Sequence, residues 1–242
     1  MSTIILPQIQ AGTTPAIAET PPLAAGDRLP RAEFERRYLA HPEIKKAELL
    51  EGIVYMPSPV KFKRHANPHL YLGGWITLYV SATPGVEGGD NATVRMDNEN
   101  DPQPDILLRI DRTHGGHSFV DADDYLAGAP ELIVEVASTS ANYDMHVKKR
   151  VYARNGVQEY LVFLTHDQTV HWFELVDGEY VELTAAADGV LRSGVFPGLW
   201  LQPAAFWARE LATMLAVLQE GIASPAHQAF VERLAGAGTS LD

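Results

Sequence analysis

Two short apolar runs, Ile106-Leu107-Leu108 and Leu132-Ile133-Val134, each carry a carboxylate where a strand should be buried. Asp105 follows Gln103-Pro104, and Glu135 stands inside Glu131-Leu132-Ile133-Val134-Glu135-Val136-Ala137-Ser138. An ionised carboxylate without a partner in a low-dielectric interior is costly. Two of them in successive runs demand a cation, a proton or a partner, and a shared divalent metal satisfies both. Adjacent strands lie about 5 Å apart, so a fold that sets these two side by side lets one ion serve the pair.

Alternation places Glu135 on one face with Ile133 and Ala137, and Leu132, Val134 and Val136 on the other. Both faces are apolar, which makes the strand central. Pro104 fixes the local geometry and removes a backbone donor, suiting a strand start or bulge that aims Asp105 at its neighbour. The stretch from Asn142 to Arg154 reads as a helix stopped by Asn155-Gly156. Projected at about 100° per residue, its apolar arc is bounded by Met145, Tyr152, Val151 and Val147, and Lys148 falls in the middle. Lys149 sits on the flank; Arg150 and Arg154 point away. A lysine in a core-facing arc either snorkels past the core or meets a buried acid, and beside Asp105 and Glu135 the second reading prevails. Asp144, four residues earlier, is a helix-surface partner for it.

The remaining chain reads as one domain with flexible ends. Residues 1–26, rich in Ala, Pro and Thr, form a disordered or draped arm; 27–220 form the domain; 221–242 form a weaker helix and a Gly- and Ala-rich tail. A helix runs from Arg31 to Ala40, followed by a hairpin of Ala47 to Leu50 and Ile53 to Met56. A core-packed helix spans His65 to Val80. Strands lie near Ala92 to Met96, Asp105 to Ile110, Leu132 to Val136 and Glu159 to Leu164. Gly85, Gly88 and Gly89 read as a connecting loop. Asp177-Gly178 turns a hairpin between Thr169 to Leu175 and Tyr180 to Leu183, and a last long helix covers Pro203 to Gln219. The order predicts an α/β fold: a mixed central sheet flanked by helices, with a β-hairpin extension.

Composition narrows the chemistry. With 242 residues, 46% of them hydrophobic, the chain can bury one sizeable core. The absence of cysteine excludes disulfides and thiolate sites and fits a reducing cytoplasm, so any metal is held by oxygen or imidazole. No apolar run approaches the roughly 20 residues of a membrane span, and no signal peptide is evident. The formal charge of −12 opposes nucleic-acid binding overall, yet basic residues cluster at Lys45-Lys46, at Lys61, Lys63 and Arg64, and at Lys148 to Arg150 with Arg154. They form either a solvated face or a phosphate-tracking surface.

Pro104-Asp105, Glu135-Val136-Ala137-Ser138, Asp144 with Lys148 and Tyr152, and Gly156-Val157-Gln158-Glu159-Tyr160 resemble the Uma-two-type restriction endonuclease family of the PD-(D/E)xK nuclease superfamily. Ala47-Glu48-Leu49-Leu50-Glu51-Gly52-Ile53-Val54, Pro57-Ser58-Pro59 and His65 resemble its N-terminal signature, so the likeness spans roughly Leu29 to Trp207. It implies a restriction-endonuclease-like core and metal-dependent hydrolysis of DNA by a homodimer. Asp105 and Glu135 would be ligands of Mg²⁺, with Mn²⁺ as substitute. Lys148 would orient the attacking water or neutralise charge in the transition state, and Glu48 would add a ligand or water contact. The superfamily's lysine normally stands two residues after the glutamate; that place is Ala137, and Lys148 matches the family's alternative position on the following helix. Ser138-Thr139-Ser140 departs from the usual Ser-Pro-Ser.

Two rival functions stay open: a DNA-binding or protein-interaction module on an inactive nuclease scaffold, and a hydrolase of another phosphoester. His65 and His69 are spaced as a helical metal pair but lack the glutamate of a metalloprotease motif. They read as capping or hydrogen-bonding histidines, with His65 a neighbour of the site. Without metal, Asp105 and Glu135 should repel, one of them holding a proton near neutral pH.

Overall fold

The computed structural model describes residues 20–138 and 140–238. Most of the N-terminal arm, Thr139 and the last residues of the tail lie outside the described residues. Residues 20–26 drape onto the first hairpin: Leu23 is buried with Phe34, Ala47, Leu49 and Val54, and the Gly26 N–H donates to the Val54 carbonyl.

The chain enters through helix α1 (Arg31–Ala40) and the antiparallel pair β1 (Glu48–Leu50) and β2 (Ile53–Tyr55), then reaches α2 (Asn67–Ser81) through a π-turn, Phe62–Ala66. Strands β3 (Val86–Asp90), β4 (Val94–Arg95), β5 (Ile106–Ile110), β6 (Phe119–Val120), β7 (Leu126–Ala127) and β8 (Leu132–Ala137) follow. The expected single helix after Glu135 is three pieces: α3 (Ala141–Tyr143), a π-turn (Asp144–Lys148) and α4 (Lys149–Asn155). Beyond it come β9 (Glu159–Leu164), β10 (Thr169–Val176), β11 (Glu179–Glu182), β12 (Leu191–Arg192), β13 (Trp200–Leu201) and helices α5 (Pro203–Ala208), α6 (Leu211–Ile222) and α7 (Pro225–Gly238). The long helix expected over 203–219 is broken at Arg209, whose φ of 62° ends α5.

Six strands form the central mixed sheet in the order β11-β10-β9-β8-β5-β3. Only β8 and β9 run parallel within it, because α3 and α4 cross between them as a parallel connection requires; the β10–β11 hairpin extends one side. The alternation of β8 divides the core. Leu132, Val134 and Val136 join Trp75 and Tyr79 of α2, Leu218 of α6 and Phe230 of α7 in one apolar cluster. Ile133 and Ala137 face Val151, Tyr152 and Val162 in another.

The stretch with Gly88 and Gly89 is a correction to the sequence reading: it is edge strand β3, paired antiparallel to β5, and no loop. The glycines hide its strand character, and at Gly89 the packing is tight enough to favour one. A Cβ on Gly88 would stand 3.4 Å from Ile76 of α2, and one on Gly89 only 3.2 Å from Leu107.

Candidate active site

Strands β5 and β8 pair with Ile106 opposite Val134; one step further along the same register sets Asp105 opposite Glu135. Opposed antiparallel residues share a face, so both carboxylates project from the same side of the sheet centre. Asp105 and Glu135 are each 4% exposed. Instead of a backbone carbonyl, the Asp105 Oδ2 accepts the Val136 N–H at 2.8 Å, which turns the side chain along the strand end. The same oxygen lies 3.1 Å from His65 Nε2, and Lys46 Nζ stands 4.0 Å from Oδ1. Burial alone would raise the Asp105 pKa, but the His65 contact, the Val136 N–H and Lys46 outweigh it and hold it at about 2.

Glu135 sits in the opposite electrostatic setting. Its Oε1 accepts from Lys148 Nζ at 2.8 Å and from the Tyr152 hydroxyl at 2.9 Å. Lys148 Nζ also reaches Glu48 Oε1 at 2.9 Å and Asp144 Oδ1 at 3.8 Å. One buried cation thus serves three acids. Burial raises Glu135 most, Lys148 lowers it, and Asp105, Asp144 and Glu48 push it up again, to about 8. Asp144 is raised to about 6, by burial first and then by Glu48 and Asp105, against Lys148 and Ser140. Lys148 loses from burial but is held protonated by Glu135, Glu48 and Asp144.

Local structure explains each placement. Glu48 begins β1, which is stitched to the approach of β5 through paired bonds between Leu49 and Asp101. Glu48 Oε1 itself caps the Gln103 N–H at 2.8 Å, so the first hairpin and the Pro104-Asp105 segment move as one. The π-turn widens the helix at Asp144–Lys148, a distortion often found at functional sites. The Tyr160 hydroxyl of β9 donates to the Asp144 carbonyl and its ring packs on Tyr152 at 5.0 Å. Gly156, with φ 84°, closes α4.

Glu48, Asp105, Glu135, Asp144, Lys148 and His65 all line one open cleft of about 2260 Å³. Tyr152 lies beneath it, fully buried. Arg150 and Arg154 turn outward to Glu51 and Asp97, while Lys149 lies 3.5 Å over the Phe173 ring. Sequence reasoning named Lys46 only in a basic cluster and did not set it beside Asp105, and it missed Asp90, which shares the cleft wall with His69. Spacing flagged the His65/His69 pair, but nothing local joins it to Asp90, which arrives on a strand read as a loop.

A six-strand mixed sheet with facing acids on its central strands, and a buried lysine contributed by the crossover between β8 and β9, is a restriction-endonuclease-like α/β core. The model of the Uma2 family, described as "Putative restriction endonuclease", matches residues 31–204, and the chain belongs to that family. A crystal structure of "a putative nuclease belonging to DUF820" from Anabaena variabilis shares the fold, with TM-score 0.50 and 15% identity over 76% of this chain and 97% of the other. A search of curated proteins finds no match.

Proposed function

We propose that this protein is a metal-dependent endonuclease that hydrolyses DNA phosphodiester bonds. The observation that carries the reading is the convergence of Asp105, Glu135 and Lys148 from three separate elements on the wall of one open cleft. The donor set fits a hard dication: Asp105 is held ionised, and Glu135 has one oxygen, Oε2, free of protein hydrogen bonds among the described residues. Carboxylate oxygens of this kind suit Mg²⁺, with Mn²⁺ as substitute. Such an ion supplies Lewis acidity toward a phosphoryl oxygen.

The protein's own groups do the rest. Lys148, locked in the charged form by Glu135, Glu48 and Asp144, presents a fixed positive charge where the pentavalent phosphate accumulates negative charge. Tyr152 fixes the orientation of Glu135 through its hydroxyl, and Glu48 holds the opposite side of the ammonium. The cleft floor is rich in acids, which calls for added cations before a polyanion can approach. Its lining includes exposed Val60 and Leu70 together with Lys61, a mixture of apolar and basic surface suited to a nucleic-acid backbone. On this reading the protein acts in the cytoplasm as a homodimer, since cutting both strands calls for two centres. Among the described residues no helix is long and apolar enough to cross a membrane.

Incubation of supercoiled plasmid, linear DNA, RNA and a small phosphodiester with Mg²⁺ or Mn²⁺ tests the proposal. Cleavage of DNA that stops with EDTA and in Asp105→Asn is expected. Cleavage that persists unchanged in Asp105→Asn removes the site from the reaction, and turnover confined to the small ester removes DNA as substrate. Light scattering on the eluted protein checks the dimer.

A further inference from the structure

The cleft contains a second set of ligand-type side chains that the Asp105–Glu135 pair leaves unused. His65, on the π-turn before α2, and His69, four residues on, present their rings 5.6 Å apart at 79°. Ligand atoms of His65, His69 and Asp105 all lie within 4.8 Å of one another. A neutral imidazole needs a partner for its N–H and another for its lone pair, and neither ring finds both. His65 Nδ1 and His69 Nε2 are buried without a hydrogen-bond partner among the described residues. Asp90 Oδ1 approaches His69 Nε2 at 2.5 Å, without the alignment of a hydrogen bond. The reading of these residues as hydrogen-bonding histidines therefore holds at His65 Nε2, which meets Asp105 Oδ2, but leaves His65 Nδ1 and His69 Nε2 unexplained.

We propose that His65, His69 and Asp105, with Asp90 at the rim, form a site for a first-row transition ion of the Zn²⁺ or Co²⁺ type. Two imidazoles and a carboxylate prefer such borderline ions, whereas the all-oxygen pair suits Mg²⁺. One pair of ligand atoms already has nearly the spacing that a bound ion requires. Two ligands each about 2.1 Å from a tetrahedral ion stand about 3.4 Å apart, and His65 Nε2 and Asp105 Oδ2 are already at 3.1 Å. His69 rides on α2, which is packed into the main core through Leu72, Trp75 and Tyr79; His65 sits on the π-turn that runs directly into it, and Asp90 ends β3, which pairs with β5 beside Asp105. The Asp90 side chain is 72% exposed, so it can swing onto an ion arriving from solvent. Asp105 then belongs to two neighbouring cation positions, one on its histidine side and one on its Glu135 side. That sharing rests on the nuclease reading of Glu135; the imidazole site does not.

Cobalt K-edge absorption spectroscopy on wild-type protein loaded with one equivalent of Co²⁺ tests the site directly. Scattering from two imidazole rings is expected, and an oxygen-only shell overturns the proposal. Calorimetric Co²⁺ titration provides the second arm. His69→Ala should weaken Co²⁺ binding by about 10–100-fold, while Glu135→Gln should leave it unchanged and abolish Mg²⁺ binding. Unaltered Co²⁺ affinity in folded His69→Ala also overturns it. Imidazole ligation without DNA cleavage leaves this inference standing and sinks the nuclease reading; Mg²⁺-dependent cleavage with oxygen-only Co²⁺ does the reverse.

Discussion

Glu135 and Glu159 lie on neighbouring parallel strands, three residues from each other's register partners, and both are buried. Their surroundings differ in kind. Glu159 is tied on both oxygens by neutral donors: the Gly194 and Val195 N–H groups on Oε1, the Trp172 indole and the Ser193 hydroxyl on Oε2. These bonds fasten the segment before β13 to the sheet. Burial still raises the Glu159 pKa, against the pull of Ser193, Val195, Gly194 and Trp172. Glu135 has a cation and a phenol on one oxygen, three more acids nearby and a cleft in front. A buried acid whose lone pairs are met by fixed dipoles is a staple. One short of such donors and crowded by like charge is where the proposed ion would bind.

The largest effect should separate the two acids by activity. Glu135→Gln is expected to reduce plasmid cleavage by about 10²–10³-fold or more while Glu159→Gln, at temperatures where it is folded, cleaves like wild type. Equal loss in both would dissolve the distinction. Stability should divide them the other way. Glu159→Gln puts an NH₂ group against N–H and O–H donors and should cost about 2–3 kcal/mol in urea unfolding; Glu135→Gln replaces a carboxyl raised to about 8, with donors on one oxygen only, and should show no comparable loss.

Titration sharpens the contrast further. The Glu135 carboxyl moves from an ordinary 4.5 to about 8 in the fold. Between those values the native protein keeps a proton that the unfolded chain has released, so stability falls as pH rises from about 4.5 to about 8 and levels above. Asp144 and Asp101, raised to about 6 and about 8, add slopes of the same sign. Asp105, lowered to about 2 from 3.8, acts oppositely, its contribution being lost only as pH falls from about 4 toward 2. Unfolding midpoints measured from pH 4 to 9 should show a shallower decline in Glu135→Gln than in wild type; an identical decline assigns the slope to the other acids. The smallest effect belongs to the connector between the two regions. Gly156→Ala meets no atom within 4 Å of the new Cβ, so only its left-handed backbone counts, and thermal unfolding should show a loss of about 1–2 kcal/mol.

Much of this could be read from the chain before its fold was known. The β8 run, the Asp177-Gly178 hairpin and the α1 segment carry their periodicity and turn chemistry locally, and they stand where the pattern puts them. Strand β3 was illegible because Val86-Glu87-Gly88-Gly89-Asp90 has neither alternation nor branched residues beyond its first. Its pairing with β5 and the close approach of α2 make it a strand. The π-turn at Asp144–Lys148 was equally hidden, since a uniform helical projection has no place for a widened turn.

Composition and pattern alone placed two acids at the sheet centre and a lysine on the helix that follows, because burial periodicity is a property of consecutive residues. Which acids share that lysine, which Glu135 oxygen remains free among the described residues, and that His65, His69 and Asp90 meet beside Asp105 depended on the assembled fold. These groups come from segments up to about a hundred residues apart in the chain, and Coulomb interactions and hydrogen bonds act over distance in space, where sequence separation has no meaning.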